Sequence, residues 1–138
     1  MNSLEIQRCR IIDLAVSGDD RGSLIAIEEL RDIPFAIRRV YYIFGTQPGV
    51  TRGRHTHHDL NQLAVAISGS CTMTLDDGRN RSDVRLDHPA KGLIIGPMVW
   101  REMMDFSPDC VLLVLADAPY DEADYIRDYD RFVALARK

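Results

Sequence analysis

Three of the four histidines in this chain, His55, His57 and His58, fall within four residues, behind Arg52 and Arg54 and ahead of an apolar run from Leu63 to Ile67. In an extended segment, side chains at i and i+2 leave the same face. His55 and His57 are therefore expected to project together, with Arg54 and His58 on the other side. Two imidazoles aimed into one space can ligate a metal ion or move protons near neutral pH. A solvated His-rich loop would do neither, so the elements that carry the cluster decide between these outcomes.

Other residues suit the same space. Arg39-Val40-Tyr41-Tyr42-Ile43-Phe44 is β-branched and aromatic, a strong strand signal. Its alternation puts Arg39, Tyr41 and Ile43 on one face. Tyr41 can donate a hydrogen bond to a ligand or serve as a core aromatic. Arg52 and Arg39 have the planar donor geometry that meets phosphate or a developing oxyanion, although surface charge is the usual lot of arginine. Arg101 lies inside the apolar segment Val99–Met103. An unpaired cation there is expensive, so a specific role is expected of it.

The positioning elements follow from pattern. Short strands are expected at Ile11–Val16, Ser23–Glu28, Arg39–Phe44, Gln62–Ile67, Cys71–Leu75 and Ser82–Leu86, and again at Leu93–Ile95, Val99–Met103 and Cys110–Ala116. Turns fall at Ser17–Asp20, Gln47–Gly49, Ser68–Ser70 and Asp76–Gly78, where glycine, proline and Asx residues cluster. Pro34 breaks the chain near Phe35. Asp121 or a neighbour is expected to cap a C-terminal helix carrying Glu122 and Asp124 in its first turn, with Tyr125, Ile126, Tyr129, Phe132, Val133 and Leu135 near helical spacing. Strands at this spacing with one terminal helix imply an antiparallel sandwich or small barrel.

Composition narrows the partners. With 138 residues, 46% apolar and 28% charged, the chain is expected to form one globular domain over 1–138. A net charge of −4 disfavours nucleic acid, which rewards a basic face. Three widely spaced cysteines, Cys9, Cys71 and Cys110, suit reduced thiols rather than a disulfide framework. The start, Met1 to Glu5, has no apolar segment of signal-peptide type, and no run is long enough to span a bilayer. A cytoplasmic location without membrane partners is expected.

The spacing Gly49, five residues, His55-Thr56-His57, four residues, Gln62, six residues, Gly69 resembles the first motif of the cupin superfamily. Gly96-Pro97-Met98-Val99-Trp100-Arg101 resembles the second. The resemblance implies an all-β, double-sheet cupin jelly roll with the C-terminal α-helix added. In metal-binding cupins, two histidines and a glutamate of the first motif and a histidine of the second hold a divalent ion. Here Gln62 stands at the glutamate position and Arg101 at the second-motif histidine. A permanent cation beside a divalent ion is repulsive, and arginine cannot shed its proton. The pocket is therefore expected to hold no metal and no other cofactor.

A longer set of pieces covers nearly the whole chain. It comprises Arg39–Ile43, Arg52-Gly53 with His55 and His57, Gly96-Pro97 with Trp100–Met103, the run Cys110–Ala116, and Tyr120-Asp121-Glu122 with Asp124–Arg127. In order and number these resemble the nucleotide-sugar 3,4-ketoisomerases, the WxcM-like cupins. That resemblance implies a cytoplasmic homodimer that turns dTDP-4-keto-6-deoxyglucose into a dTDP-3-keto-6-deoxyhexose for an aminotransferase in deoxysugar biosynthesis.

Moving a ketone from carbon 4 to carbon 3 needs a base, an enediol(ate) and reprotonation. His55 is the expected base, with His57 aiding proton return or positioning and Tyr41 donating to the sugar. Arg52, Arg101, Arg39, Gln62 and Arg21 are expected to bind substrate. The charges of Arg21 and Arg101 bear on the face of reprotonation, which sets a gluco or galacto product. Two rivals stand beside this reading: a metal-dependent cupin enzyme, and a non-catalytic cupin that binds a nucleotide-sugar.

Overall fold

A computed structural model describes residues 4–138; the reading of the N-terminus at Met1–Ser3 lies outside the described residues. The strands in chain order are β1 (Cys9–Asp13), β2 (Ser17–Asp19), β3 (Gly22–Leu24), β4 (Arg39–Phe44), β5 (Arg52–His57) and β6 (Gln62–Ser68). They continue with β7 (Cys71–Asp76), β8 (Arg81–Leu86), β9 (Lys91–Ile95), β10 (Trp100–Met104), β11 (Val111–Ala116) and β12 (Tyr125–Ile126). Helix α1 (Tyr129–Ala136) follows.

Two five-stranded sheets form, ordered β1-β9-β6-β11-β4 and β12-β5-β10-β7-β8, and their named pairings are antiparallel. Alternation explains how they close on each other. From the first sheet, Ala64, Ala66, Leu93, Ile95, Leu112 and Val114 enter one core with Met73, Leu75 and Met103 of the second. The opposite side chains of the first sheet, Leu63, Val65, Ile94 and Leu115, form a second cluster with Ile33 and Phe35. Residues 25–37 thus cover part of the outer face of that sheet although they form no named strand. This is why β6 is apolar on both faces: it is a central strand with something packed on each side. The result is the jelly roll of the cupin type.

Four expectations are corrected. Ser17–Asp19 pairs with Gly22–Leu24 as a small hairpin, so the turn is confined to Asp20 and Arg21, and the strand expected at Ser23–Glu28 stops at Leu24. Asp121 caps only a 3₁₀ turn, Glu122–Asp124, by accepting from the Ala123 N–H. The helix begins eight residues later than that cap, at Tyr129, where the Asp128 carboxylate accepts from the Arg131 N–H. Tyr125 and Ile126 are strand instead, because their backbones pair with His57 and Thr56 of β5. Among the described residues no helix is long and apolar enough to cross a membrane.

Helix α1 caps one end of the second sheet. Phe132 is fully buried against Trp100, with ring centroids 5.8 Å apart, and Ile126 completes this third cluster. Trp100 is therefore covered within its own chain. Truncation of a fully buried phenylalanine removes packing that the surroundings only partly recover. Phe132→Ala is expected to cost about 3–5 kcal/mol in urea unfolding. A loss under about 1 kcal/mol would show that the helix is not packed on the sheet.

Candidate active site

A cavity of about 700 Å³ opens where the edge strand β4 faces β5 and the segment around β12. β4 supplies Arg39, Tyr41 and Ile43, as its alternation dictates, and β5 supplies Arg52, Gly53 and His55. Tyr120, Tyr125 and Arg127 close it from the C-terminal segment. The size suits a small organic ligand.

Strand β5 reaches this cavity through an irregularity. Its register against β10 runs Arg101 opposite His55 and then Glu102 opposite Gly53, so Arg54 is an extra, bulged residue. Gly53 and Arg54 both take positive φ, 85° and 56°. A Cβ at Gly53 would lie 3.0 Å from the Arg101 carbonyl oxygen, so glycine is needed for both the torsion and the close approach. Beyond the bulge His55 and His57 do share a face, with ring centroids 4.9 Å apart and planes at 89°. Their surroundings differ. His55 lines the cavity, whereas His57 is 1% exposed and sits behind it. The Tyr125 ring packs on both, at 5.0 Å from His55 and 4.3 Å from His57.

Arg101 does not line the cavity. It lies 2% exposed beneath it, with Nε and one terminal nitrogen donating to the Val99 carbonyl at 3.2 and 2.9 Å. Its other terminal nitrogen donates to Gln62 Oε1. With that oxygen committed, the Gln62 amide nitrogen faces outward and donates to the Tyr41 hydroxyl oxygen at 3.0 Å. Tyr41 accepts there, which leaves its own O–H free to donate toward the cavity. Gln62 is thus a buried link rather than a cavity-lining residue. This chain, Arg101 to Gln62 to Tyr41, includes the two positions at which the cupin resemblance implies metal ligands. A guanidinium hydrogen-bonded to a neutral amide is a poor donor set for a divalent ion. Among the described residues no group of three His, Cys, Asp or Glu side chains is placed to bind one.

Burial and the nearby cation together set protonation. Burial first, and the Arg101 charge next, pull His55 down to about 4 and His57 down to about 2. Both rings are neutral near pH 7 and can accept a proton. Arg39 stacks between Tyr41 and Tyr120, its guanidinium carbon 5.2 and 5.7 Å from their centroids, and its Nε is buried without a hydrogen-bond partner. Arg127 lies 4.4 Å over the Tyr125 ring and pairs with exposed Glu122, which Arg127 and then Tyr120 hold down to about 2. Arg21 stands apart. Its side chain is 87% exposed on the β2–β3 hairpin and pairs with Asp19 at 2.7 Å, and it lines a different hollow. Its exposure comes from the hairpin's projection away from the two packed sheets. The sequence reading did not single out Tyr120, Tyr125 or Arg127 as site residues. The helical spacing of Tyr125 pointed to core, Tyr120 and Arg127 carried only the family resemblance, and the pairing of β12 with β5 brings all three here.

Residues 7–137 match the protein family described as FdtA: WxcM-like, C-terminal. The chain belongs to this family. It is 54% identical over 123 residues to a TDP-4-oxo-6-deoxy-alpha-D-glucose-3,4-oxoisomerase of Aneurinibacillus thermoaerophilus, covering 89% of this chain and 88% of that protein. A 3,4-ketoisomerase from Helicobacter canadensis superposes with TM-score 0.93 at 45% identity, over 97% of this chain and 100% of that one. A single-residue mutant of the Thermoanaerobacterium thermosaccharolyticum 3,4-ketoisomerase, in complex with TDP-4-keto-6-deoxyglucose, superposes with TM-score 0.94 at 42% identity, covering 96% of each chain.

Keeping two histidines neutral has a pH signature. Unfolded histidine titrates near 6.5, above both folded values, so the unfolded chain binds more protons once pH falls below that point. Stability therefore drops on acidification from about 6.5, until pH passes about 4 for His55 and about 2 for His57. His57→Asn is expected to lose less stability than the unsubstituted protein between pH about 7 and about 5, read from urea midpoints. Equal losses would mean that His57 is not held neutral.

Proposed function

We propose that this chain, as one cupin-type unit over 1–138, is a metal-independent 3,4-ketoisomerase. Its substrate is dTDP-4-keto-6-deoxyglucose and its product a dTDP-3-keto-6-deoxyhexose of deoxysugar biosynthesis. The observation that carries the reading is the neutral His55 facing a cavity beside Tyr41, over the buried Arg101 guanidinium that is linked to Tyr41 through Gln62. The relatives support the same chemistry by their activities and, in one case, by the bound substrate.

The steps follow from the groups present. Neutral His55 takes the proton from carbon 3, leaving an enediolate whose charge rests on the carbon-4 oxygen. The free Tyr41 O–H donates to that oxygen, and the Arg101 charge beneath it favours the anion. The proton then returns from His55 to carbon 4 while the carbon-3 hydroxyl proton passes to the carbon-4 oxygen, giving a 3-ketone and a 4-hydroxyl with no net gain or loss of atoms. Proton transfer of this kind contributes roughly 10²–10⁴-fold, and the electrostatic terms add to it. A base held down to about 4 is weak in the free protein, but a bound diphosphate raises it by adding negative charge nearby. Arg39, Arg52 and Arg127 are the cavity-lining cations for that diphosphate. The mechanism assigns no role to Arg21.

The test is incubation of chelator-treated protein with dTDP-4-keto-6-deoxyglucose in deuterium oxide, followed by NMR. Deuterated 3-keto product is expected. His55→Asn should abolish both isomerisation and deuterium uptake while still folding and binding dTDP. Turnover lost with the chelator would support a metal-dependent cupin. Binding without exchange would leave a non-catalytic nucleotide-sugar-binding protein, and an unaltered rate in His55→Asn would remove the base assignment.

The same reading includes a cytoplasmic homodimer. The outer face of the first sheet keeps Val40, Tyr42, Phe44 and Ile67 roughly half or more exposed, an apolar strip of the kind that marks association. Light scattering is expected at twice the 15.6 kDa monomer mass at micromolar concentration. Monomer mass throughout would exclude the dimer.

A further inference from the structure

The steps above leave His57 without a task, and its surroundings are unusual. Buried imidazoles ordinarily find a partner for each polar nitrogen, yet among the described residues neither ring nitrogen of His57 meets one along a hydrogen-bonding direction. One polar neighbour is nevertheless in contact. Asp124 Oδ2 lies 3.2 Å from His57 Nδ1.

That carboxylate is fixed from several sides. Its other oxygen, Oδ1, accepts from the Asp59 N–H at 3.0 Å. The Asp124 carbonyl accepts from the His58 N–H, also at 3.0 Å. The next residue, Tyr125, opens β12 directly opposite His57. The 3₁₀ turn is therefore pinned to the end of β5, and Oδ2 is left facing the buried ring. Asp124 itself is 18% exposed, so the carboxylate is largely removed from water.

A neutral imidazole carries one proton, on Nδ1 or on Nε2. A carboxylate oxygen opposed to a bare Nδ1 sets two lone pairs against each other, whereas Nδ1–H opposed to it is attractive. The contact is already short enough, so a small rotation of the ring or the carboxylate into line makes it a hydrogen bond, as happens in many sites when substrate binds. We propose that Asp124 is a positioning residue for proton transfer: its carboxylate keeps the His57 proton on Nδ1 and leaves the Nε2 lone pair available beside His55. The consequence for turnover rests on the ketoisomerase reading; the tautomer does not.

The arrangement gives His57 a use. When His55 takes the substrate proton, a cation forms next to the His57 ring, over a site already crowded by the Arg101 charge. An acceptor lone pair on His57, backed by the Asp124 carboxylate, offsets that cost and keeps the imidazole pair ordered for the return of the proton. Asp124 touches neither substrate nor His55; it acts through His57.

The test uses protein carrying ¹⁵N in its histidine rings, read by two-bond ¹H–¹⁵N correlation, beside steady-state kinetics. In the unsubstituted protein His57 is expected as the Nδ1–H tautomer. In Asp124→Asn the amide oxygen keeps the Asp59 N–H, so the NH₂ faces Nδ1 and the ring is expected to switch to Nε2–H. In that variant kcat should fall on the order of 10²-fold with KM and dTDP binding unchanged. An Nε2–H tautomer in the unsubstituted protein overturns the proposal, as does an unchanged tautomer in Asp124→Asn. A switched tautomer with unchanged kcat overturns the positioning role. If Asp124→Asn does not fold, the spectrum of the unsubstituted protein decides alone. If the unsubstituted protein turns over no ketosugar, the functional reading fails while the spectra still decide the tautomer.

Discussion

Arg101 is a cation buried to 2% exposure whose hydrogen-bond acceptors are all neutral, the Val99 carbonyl and the Gln62 amide oxygen. Removing a charge from water and then leaving it without acceptors costs several kcal/mol, so these contacts are obligatory rather than decorative. Each has a consequence. Gln62 must turn its oxygen to Arg101, which turns its nitrogen to Tyr41 and frees the Tyr41 proton. The uncompensated charge depresses both imidazoles, adding to their burial. One residue thereby orients the Tyr41 hydroxyl, adds to the effect of burial on the two imidazoles and sets a positive charge beneath the cavity.

The fold bears this charge because β10 is interior to its sheet. It lies between β5 and β7, and its alternation sends Arg101 and Met103 to the side that faces the other sheet. The same pairing with β5, shifted by the bulge at Arg54, sets His55 opposite Arg101. A regular β5 would have sent the histidines to the other face. The bulge therefore couples the register of the strands to the chemistry of the cavity.

The electrostatic character of the site is opposite to that of the chain. A net charge of −4 would repel a nucleotide diphosphate, yet Arg39, Arg52, Arg127 and the buried Arg101 gather around one cavity. Fields in a partly enclosed cleft are set by the nearest charges, since distant ones are screened within roughly 8–10 Å. The partners of these cations differ in kind. Arg39 is held between aromatic faces and Arg127 is shared with Glu122, so both remain able to engage an anion without leaving a buried carboxylate unpaired.

Much of this was legible in the linear chain. Period-two alternation placed Tyr41 with Arg39, and His55 with His57, because side-chain direction along a strand is a local property. That Gln62 and Arg101 stand at positions where the resembled cupin motifs carry metal ligands was visible too, because it is a matter of residue type. Tertiary structure decided the rest. Which of two histidines on one face meets solvent depends on what lies over that face, and here Tyr125 and the Asp124 carboxylate cover His57 while His55 stays open. The segment that does this looked like the start of a helix, because apolar spacing over a few residues does not distinguish a helix turn from a short strand. Only backbone pairing with β5, distant in sequence, made it a strand and carried Tyr120, Tyr125 and Arg127 to the cavity. Arg21 shows the reverse: its type suited an anion, but a surface hairpin set it elsewhere. Residue chemistry is written in the sequence, while distance, burial and the partner that fixes a proton arise when remote segments meet.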